Sequence, residues 1–348
     1  MLDFETLACR LTGQNFGVAV SSGTAGLHLC VRALGIGPGD EVIVPSFTFV
    51  AVANAVLYEG ATPVFVDIEP RTLNLDAGCV EAAITPRTRA IVVVHTFGCP
   101  ADLEGIVEIA RRHRLHVVED ACEAIGASYH GRPAGSFGDA AVFAFYPNKQ
   151  ITTGEGGMVV TGDARLAREI RAMRNHGRYD TDEWHQHSVL GYNYRLSEIQ
   201  CALGCAQMRR LPEILAQREQ AARRYDELLR DIPGLVLPPL ELPEARISWF
   251  VYVVRLAEQF GLEQRDAVVR MLEQRGIGCG RYFAPIHNQP AYARQPAYTN
   301  APARVPLPVT EAVSQRTIAL PFYTRLDQTS IERVAKMLRE AIKALNPA

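Results

Sequence analysis

The chain carries no surplus of either charge: 36 Lys and Arg stand against 38 Asp and Glu over 348 residues, a formal net charge of −2. Composition therefore offers no electrostatic footprint for nucleic acid or an anionic membrane surface. It also lacks a CxxC pair. The eight cysteines lie singly, most in apolar stretches, and a chain of this length buries enough surface to fold without disulfides, so reduced thiols in a cytoplasmic protein are expected. No stretch of about 18 residues is apolar enough to span a bilayer. The opening MLDFETLACRLTGQNFGVAV has early acids and no uninterrupted apolar core, unlike a secretory signal. GIGPGD and GIGCGR stop short of GxGxxG, so no nicotinamide fingerprint is present. Internal repeats are absent. With 48% hydrophobic and 21% charged residues, disorder is excluded, and the length suits about two domains.

Short apolar runs rich in β-branched residues alternate with helical segments through the first half. GVAV (17–20), EVIVP (41–45), PVFVD (63–67), AIVVVH (90–95) and HVVED (116–120) read as strands buried on both faces, the pattern of a mostly parallel sheet in a doubly wound α/β fold. Two more, AAVFAF (140–145) and GMVVT (157–161), bracket a Gly-rich loop. A long helix is expected over 195–230, bent at Pro212. The Pro-rich stretch 233–245 marks a boundary, giving a large domain over 1–232 and a small α+β domain over 233–348. In the latter, a strand at 248–256, a helix at 263–275, a strand near 278–283, an irregular segment at 284–308 and a closing helix at 329–345 are expected.

Ligands of open α/β sheets sit at the carboxyl ends of the strands. There the first strand runs through Ser21-Ser22-Gly23-Thr24-Ala25 into a helix, a turn whose free N–H groups suit a phosphate, though a plain N-cap explains it too. The fifth strand ends in Glu119-Asp120, a carboxylate pair that either caps the next helix or faces the crevice. Lys149, in FAFYPNKQITTGEGG, sits on a Gly-rich turn where desolvation favours a neutral, nucleophilic amine. Phosphate turn, aspartate and lysine together match the needs of pyridoxal 5'-phosphate: an amine for the aldehyde, a carboxylate for the pyridine nitrogen, and an anchor for the phosphate. His185-x-His187 has metal-ligand spacing but no evident third ligand, and no metal is expected.

AVSSGTAGLHL, VVHTFGCPADLEGI, the run 118–161, RNHGR, GYNYRLSEIQCALG and YFAPIHNQPAY together resemble the DegT/DnrJ/EryC1/StrS group of sugar aminotransferases, over nearly the whole chain. The resemblance implies fold type I, with a seven-stranded-type, mostly parallel sheet in the large domain. It implies that Lys149 forms the imine with the cofactor and later moves the proton between carbon atoms, and that Asp120 pairs with the pyridine nitrogen. Glu123 falls near the phenolic oxygen, Thr24 and Ala25 at the phosphate, and Phe49 over the ring. Asn193 and Arg195 match a segment that reaches the phosphate in the neighbouring subunit, implying a homodimer with shared active sites. Tyr282 and His287 fall near the nucleotide-sugar pocket or in simple packing, and His95 matches a family position or a satisfied core histidine.

The expected reaction moves an amino group from glutamate to a keto group, at carbon 4 on the pattern of ITTGEGG, of a nucleotide-linked deoxysugar. Two departures stand out. Ala144 replaces the serine that members place five residues before the lysine, which predicts weaker cofactor holding. The chain also opens at Asp3-Phe4-Glu5 inside a helix that members precede with a longer segment, so either the true start lies upstream or the substrate site is more open. A dehydratase branch carries histidine in place of Lys149. The remaining alternatives are a cyclitol- or aromatic-amine-forming aminotransferase and a non-catalytic binding protein of the same fold.

Overall fold

The structure is a computed structural model that describes residues 1–294 and 306–345. In chain order, the first nine strands are β1 (Phe16–Val20), β2 (Glu41–Pro45), β3 (Thr62–Val66), β4 (Thr88–Val94), β5 (His116–Asp120), the two-residue pieces β6 (Ser128–Tyr129) and β7 (Arg132–Pro133), then β8 (Ala140–Ala144) and β9 (Gly157–Thr161). Seven of them form one sheet in the order β1-β9-β8-β5-β4-β2-β3. Only β9 opposes its neighbours; every other pairing in this sheet is parallel. This is the fold type I architecture expected above.

Both faces are covered, so successive residues of each strand enter different cores, as the two-residue period of a strand dictates. Val18, Val42, Val92, Val142 and Val159 pack with α2 (Gly23–Ala33), α3 (Ala51–Tyr58) and α6 (Ala164–Arg174). On the opposite face Ala19, Ala141, Phe143 and Met158 meet α1 (Leu2–Thr12), α7 (Glu198–Arg209) and the start of α8 (Leu211–Leu229). Farther along that face, Ile43, Ile91 and Val117 meet α4 (Ala77–Ala82) and α5 (Leu103–His113).

The single bent helix expected over 195–230 is instead two. Arg195 is extended and bridges to Val20, and Ser197 opens α7 with a capping box completed by Gln200. Pro212 then lies in the first turn of α8, where its missing N–H would have had no helical partner anyway. α8 spans two cores: Leu211 and Ile214 belong to the first, Tyr225 and Leu229 to a second.

That second core lies beneath an antiparallel sheet of β10 (Leu235–Val236), β12 (Tyr252–Leu256) and β13 (Thr317–Leu320), in the order β10-β12-β13. It is closed by α9 (Leu262–Gln274) and the helix Gln328–Leu345. The intervening β11 (Ala245–Arg246) turns back to pair with β6 of the larger unit. Two expected strands shorten. Residues 248–251 precede β12 because their backbone bonds elsewhere, and 278–283 reduces to one bridge, Gly280 to Ala319, since Tyr282 and Phe283 pack against Phe97. Of the irregular segment, Ile286–Asn288 and Pro290–Ala293 form short helical turns; 295–305 lie outside the described residues. Among the described residues no helix is long and apolar enough to cross a membrane.

Candidate active site

Neighbouring carboxylates at the end of β5 do different work, because adjacent strand residues face opposite ways. Glu119 is fully buried: its Oε2 lies 3.1 Å from His95 Nε2 and accepts the Gly135 N–H at 2.7 Å. Its Oε1 accepts the N–H groups of Phe137 and Gly138 at 2.7 and 2.9 Å. Burial would push this carboxyl up, but His95 and the backbone donors outweigh it and hold the group below its ordinary value. His95, itself buried, accepts the Ala101 N–H at Nδ1, 3.2 Å. Of its two readings, the core one describes these contacts.

Asp120 keeps its carboxylate for the other side, where Oδ1 accepts the Cys122 N–H at 3.1 Å. The turn that follows delivers Glu123. Lys149 arrives from β8 on a turn closed by its own N–H to Tyr146 O at 3.0 Å. Its Nζ lies 3.4 Å from Glu123 Oε1 and 4.0 Å from the centroid of the Phe250 ring, so carboxylate and ring face cradle one ammonium. Glu123 Oε2 accepts the Phe97 N–H at 2.9 Å. Burial nevertheless pushes the Glu123 carboxyl up, against the pull of Lys149.

Phe250 is held from beneath. Arg218, buried, donates from Nη1 to the carbonyls of Trp249 and Phe250 at 3.2 and 3.0 Å, and desolvation brings its guanidinium down to about 10. Ser248 N–H bonds Gly98 O at 2.9 Å, and Phe250 N–H bonds Phe97 O at 3.3 Å. Gln150, next to the lysine, donates from Nε2 to Ser248 O and Oγ at 2.9 and 3.0 Å. The 248–250 segment thus straps the smaller unit to the lysine turn.

The phosphate turn closes on the same edge. Ser22 caps α2, its Oγ accepting the Ala25 N–H at 3.1 Å, which leaves the N–H groups of Gly23 and Thr24 as the open donors of the first turn. Gly23 has no room for a side chain: a Cβ there would stand 2.8 Å from Cys122 Sγ and 2.9 Å from Ala144 Cβ. Gly157 is tight for a similar reason, a Cβ falling 2.5 Å from the Ser22 carbonyl carbon. The α2 N-terminus, the Asp120 loop and the end of β8 therefore meet. Ala144 Cβ lies against the turn itself, so a hydroxyl there would stand beside its open N–H groups. We expect Ala144→Ser to tighten pyridoxal phosphate binding about tenfold, the worth of one hydrogen bond to a charged acceptor, as read by cofactor titration; unchanged affinity contradicts this placement.

The other residues singled out from the sequence lie farther apart. Phe49, after β2, is 62% exposed. Asn193 and Arg195 face solvent, and Arg195 Nη1 donates to Asn175 Oδ1 at 2.9 Å. Tyr282 lies against Phe97, centroids 6.2 Å apart, one residue removed from Glu123. His287 is a tether: Nδ1 is 2.7 Å from Ser46 Oγ at the end of β2, and Nε2 is 3.3 Å from Glu311 Oε1. Phe97, Gln150, Ser248 and Phe250 were not singled out by sequence reasoning, and nothing local marks them.

The description of the DegT/DnrJ/EryC1/StrS aminotransferase family matches residues 1–339. The chain belongs to this family. It is 43% identical over 342 residues to the GDP-perosamine synthase of Caulobacter vibrioides, covering 98% of this chain and 90% of that one. Identity is again 43%, with 97% and 87% covered, to the UDP-N-acetyl-3-dehydro-alpha-D-glucosamine 3-aminotransferase of Acidithiobacillus ferrooxidans. Spr1654 of Streptococcus pneumoniae, described as a sugar aminotransferase and solved in its PLP form, superposes with a TM-score of 0.91 at 26% identity, covering 99% of this chain and 91% of that one.

This chain is thus a pyridoxal phosphate-dependent aminotransferase. Its residues fit the cofactor: an amine, a carboxylate and open helix N–H donors meet at one sheet edge. All eight cysteines are free thiols, and none is required by this arrangement.

Proposed function

We propose that this aminotransferase carries an amino group from glutamate to the keto group at carbon 4 of a nucleotide-linked deoxysugar, in the cytoplasm, for amino-sugar or polysaccharide synthesis. The observation that carries it is the placement of Lys149 Nζ between Glu123 and Phe250, at the edge where Asp120 and the α2 turn converge. When bound, pyridoxal phosphate supplies an electron sink that stabilises negative charge on the carbon losing its proton. Lys149 Nζ would hold the aldehyde carbon and, once released from it, would take and return that proton as general acid and base. Asp120 keeps the pyridine nitrogen protonated. Thr24, with the open Gly23 N–H beside it, would receive the phosphate at the α2 N-terminus, the Ala25 N–H being held by Ser22; Glu123 would face the phenolic oxygen, Phe49 would cover the ring, and Tyr282 and His287 would border the sugar-nucleotide pocket.

Two relatives support the sugar substrate, and the loop ITTGEGG supports carbon 4. The test supplies ¹⁵N-glutamate with 4-keto-6-deoxysugars and, in parallel, 3-keto sugars, each carrying GDP, UDP or dTDP, and reads the product by NMR. Nitrogen at carbon 4 is the expected result. Nitrogen at carbon 3 of a 3-keto substrate, with the 4-keto sugars untouched, contradicts it.

The active form in this reading is a homodimer with shared sites. Along α7 the exposed residues Ile199, Ala202, Leu203 and Ala206 recur at helical spacing, and Ile199 is 85% and Leu203 44% exposed. Such an apolar stripe calls for a partner, and Asn193 and Arg195 stand just ahead of it. Ile199→Glu with Leu203→Glu is expected to halve the mass in light scattering and weaken cofactor retention. A wild-type chain that is already monomeric, or a variant that stays dimeric, contradicts the stripe's role.

A further inference from the structure

The inward face of the 191–195 segment carries a polar network that none of the chemistry above uses. Tyr192 and Tyr194 turn into the chain, stacked with centroids 4.8 Å apart and planes 11° from parallel, while Asn193 and Arg195 alternate outward. Tyr194 OH lies 3.2 Å from His28 Nδ1, and His28 Nε2 lies 2.7 Å from Glu59 Oε1. Arg32 Nη1 donates to both oxygens of that carboxylate, at 3.1 and 2.8 Å. Tyr192 OH donates to Glu59 Oε1 at 3.4 Å.

The hydrogen positions follow from the partners. A carboxylate only accepts, so His28 Nε2 carries a hydrogen, and in the neutral ring Nδ1 receives the Tyr194 hydroxyl hydrogen. Ring contacts add to the bonds: His28 meets Tyr192 edge-on at 4.9 Å, and the Arg32 guanidinium lies 5.6 Å over the Tyr192 ring. The backbone is pinned as well, with Tyr192 N–H to Met173 O at 2.6 Å, Tyr194 N–H to Arg174 O at 3.0 Å, and Ser21 N–H to Tyr194 O at 2.8 Å. Taking a carboxylate, an imidazole and a guanidinium out of water is costly, and apolar side chains would fill the same space. What a fully bonded polar network adds is a single orientation.

We infer that His28, Glu59 and Arg32 are positioning residues: they clamp Tyr192 and Tyr194, and so hold Asn193 and Arg195 pointing out of their own chain toward the cofactor phosphate of a second copy. The inference rests on the shared-site reading above. His28 and Arg32 lie on α2, whose first turn is also the phosphate turn of their own chain, so an effect across the dimer must be told apart from one within the chain.

Mixed dimers separate these two cases. A Glu59→Gln chain keeps Lys149, while a Lys149→Ala chain keeps an intact arm. In their heterodimer the one site that retains Lys149 draws its arm from the undamaged chain. The readouts are the pyridoxal phosphate dissociation constant and borohydride-trapped label on Lys149 at limiting cofactor. The Glu59→Gln homodimer is expected to bind about tenfold more weakly, and the heterodimer to regain wild-type affinity at its Lys149 site. Weakening that persists in the heterodimer, or no weakening in the homodimer, overturns the inference. Tyr194→Phe, which removes one hydroxyl, goes through the same mixing and carries the test if Glu59→Gln does not fold. Arg195→Gln measured alongside isolates the underlying reading. If it leaves affinity unchanged, or is not rescued by the Lys149→Ala chain, shared sites are wrong. If it weakens binding and is rescued while both network variants bind normally, only the network's role is wrong.

Discussion

Lys149→Ala is expected to lower turnover by about a thousandfold or more, the loss of a group proposed as both covalent anchor and proton carrier. Among the described residues the one Lys or Arg ion pair of Glu123 is the 3.4 Å contact with Lys149 Nζ. The variant also leaves a buried carboxylate facing the Phe97 N–H alone. Its proton affinity, already pushed up by burial, rises further, because the opposing pull of the ammonium is gone. Kinetics with glutamate and the keto sugar check the first effect, and thermal melting of the apoprotein separates it from loss of fold. Turnover within tenfold of wild type would remove Lys149 from the chemistry.

Asp120→Asn is expected to lower turnover on the order of a hundredfold while leaving the melting temperature nearly unchanged. The two effects separate because the carboxylate has two duties. Toward the protein it accepts one N–H, from Cys122 at 3.1 Å, and an asparagine oxygen accepts the same bond. In the role proposed for it, the carboxylate would hold a proton on the pyridine nitrogen, which an amide cannot do. Glutamate half-reaction rates, measured beside melting curves, distinguish this from a merely structural role. A variant that melts early with unimpaired chemistry would reverse the assignment.

The central sheet was readable from sequence because its strands are buried on both faces. Runs such as AIVVVH and PVFVD have no solvent side, and nothing but a covered sheet accommodates them. Lys149 stands out for a related reason, as a lone cation among Gly and Thr after a buried strand, and the structure sets it beside Glu123 and Phe250. The helix over 195–230 was misread at Pro212. Proline inside an apparent helical run is ambiguous between a bend and a new first turn, and the decisive signal was Ser197 with Gln200, a capping box that starts α7 later.

What sequence could not supply are contacts made across the two units. Phe250 lies 101 positions from the lysine whose ammonium it faces, and the strap from Ser248 to Phe250 is built from backbone bonds to Gly98, Phe97 and Arg218. No period or spacing encodes those. The same holds for His287, whose bond to Ser46 spans 241 positions and ties it to the end of β2.

The most direct test of the central claim is the visible absorbance of the purified protein loaded with pyridoxal phosphate, before and after glutamate, followed by borohydride reduction and peptide mapping. The account predicts a visible band that glutamate bleaches and, in the sample reduced without glutamate, a single pyridoxyl label on Lys149. A protein that takes up no cofactor, or one labelled at another lysine with a spectrum indifferent to glutamate, would contradict it.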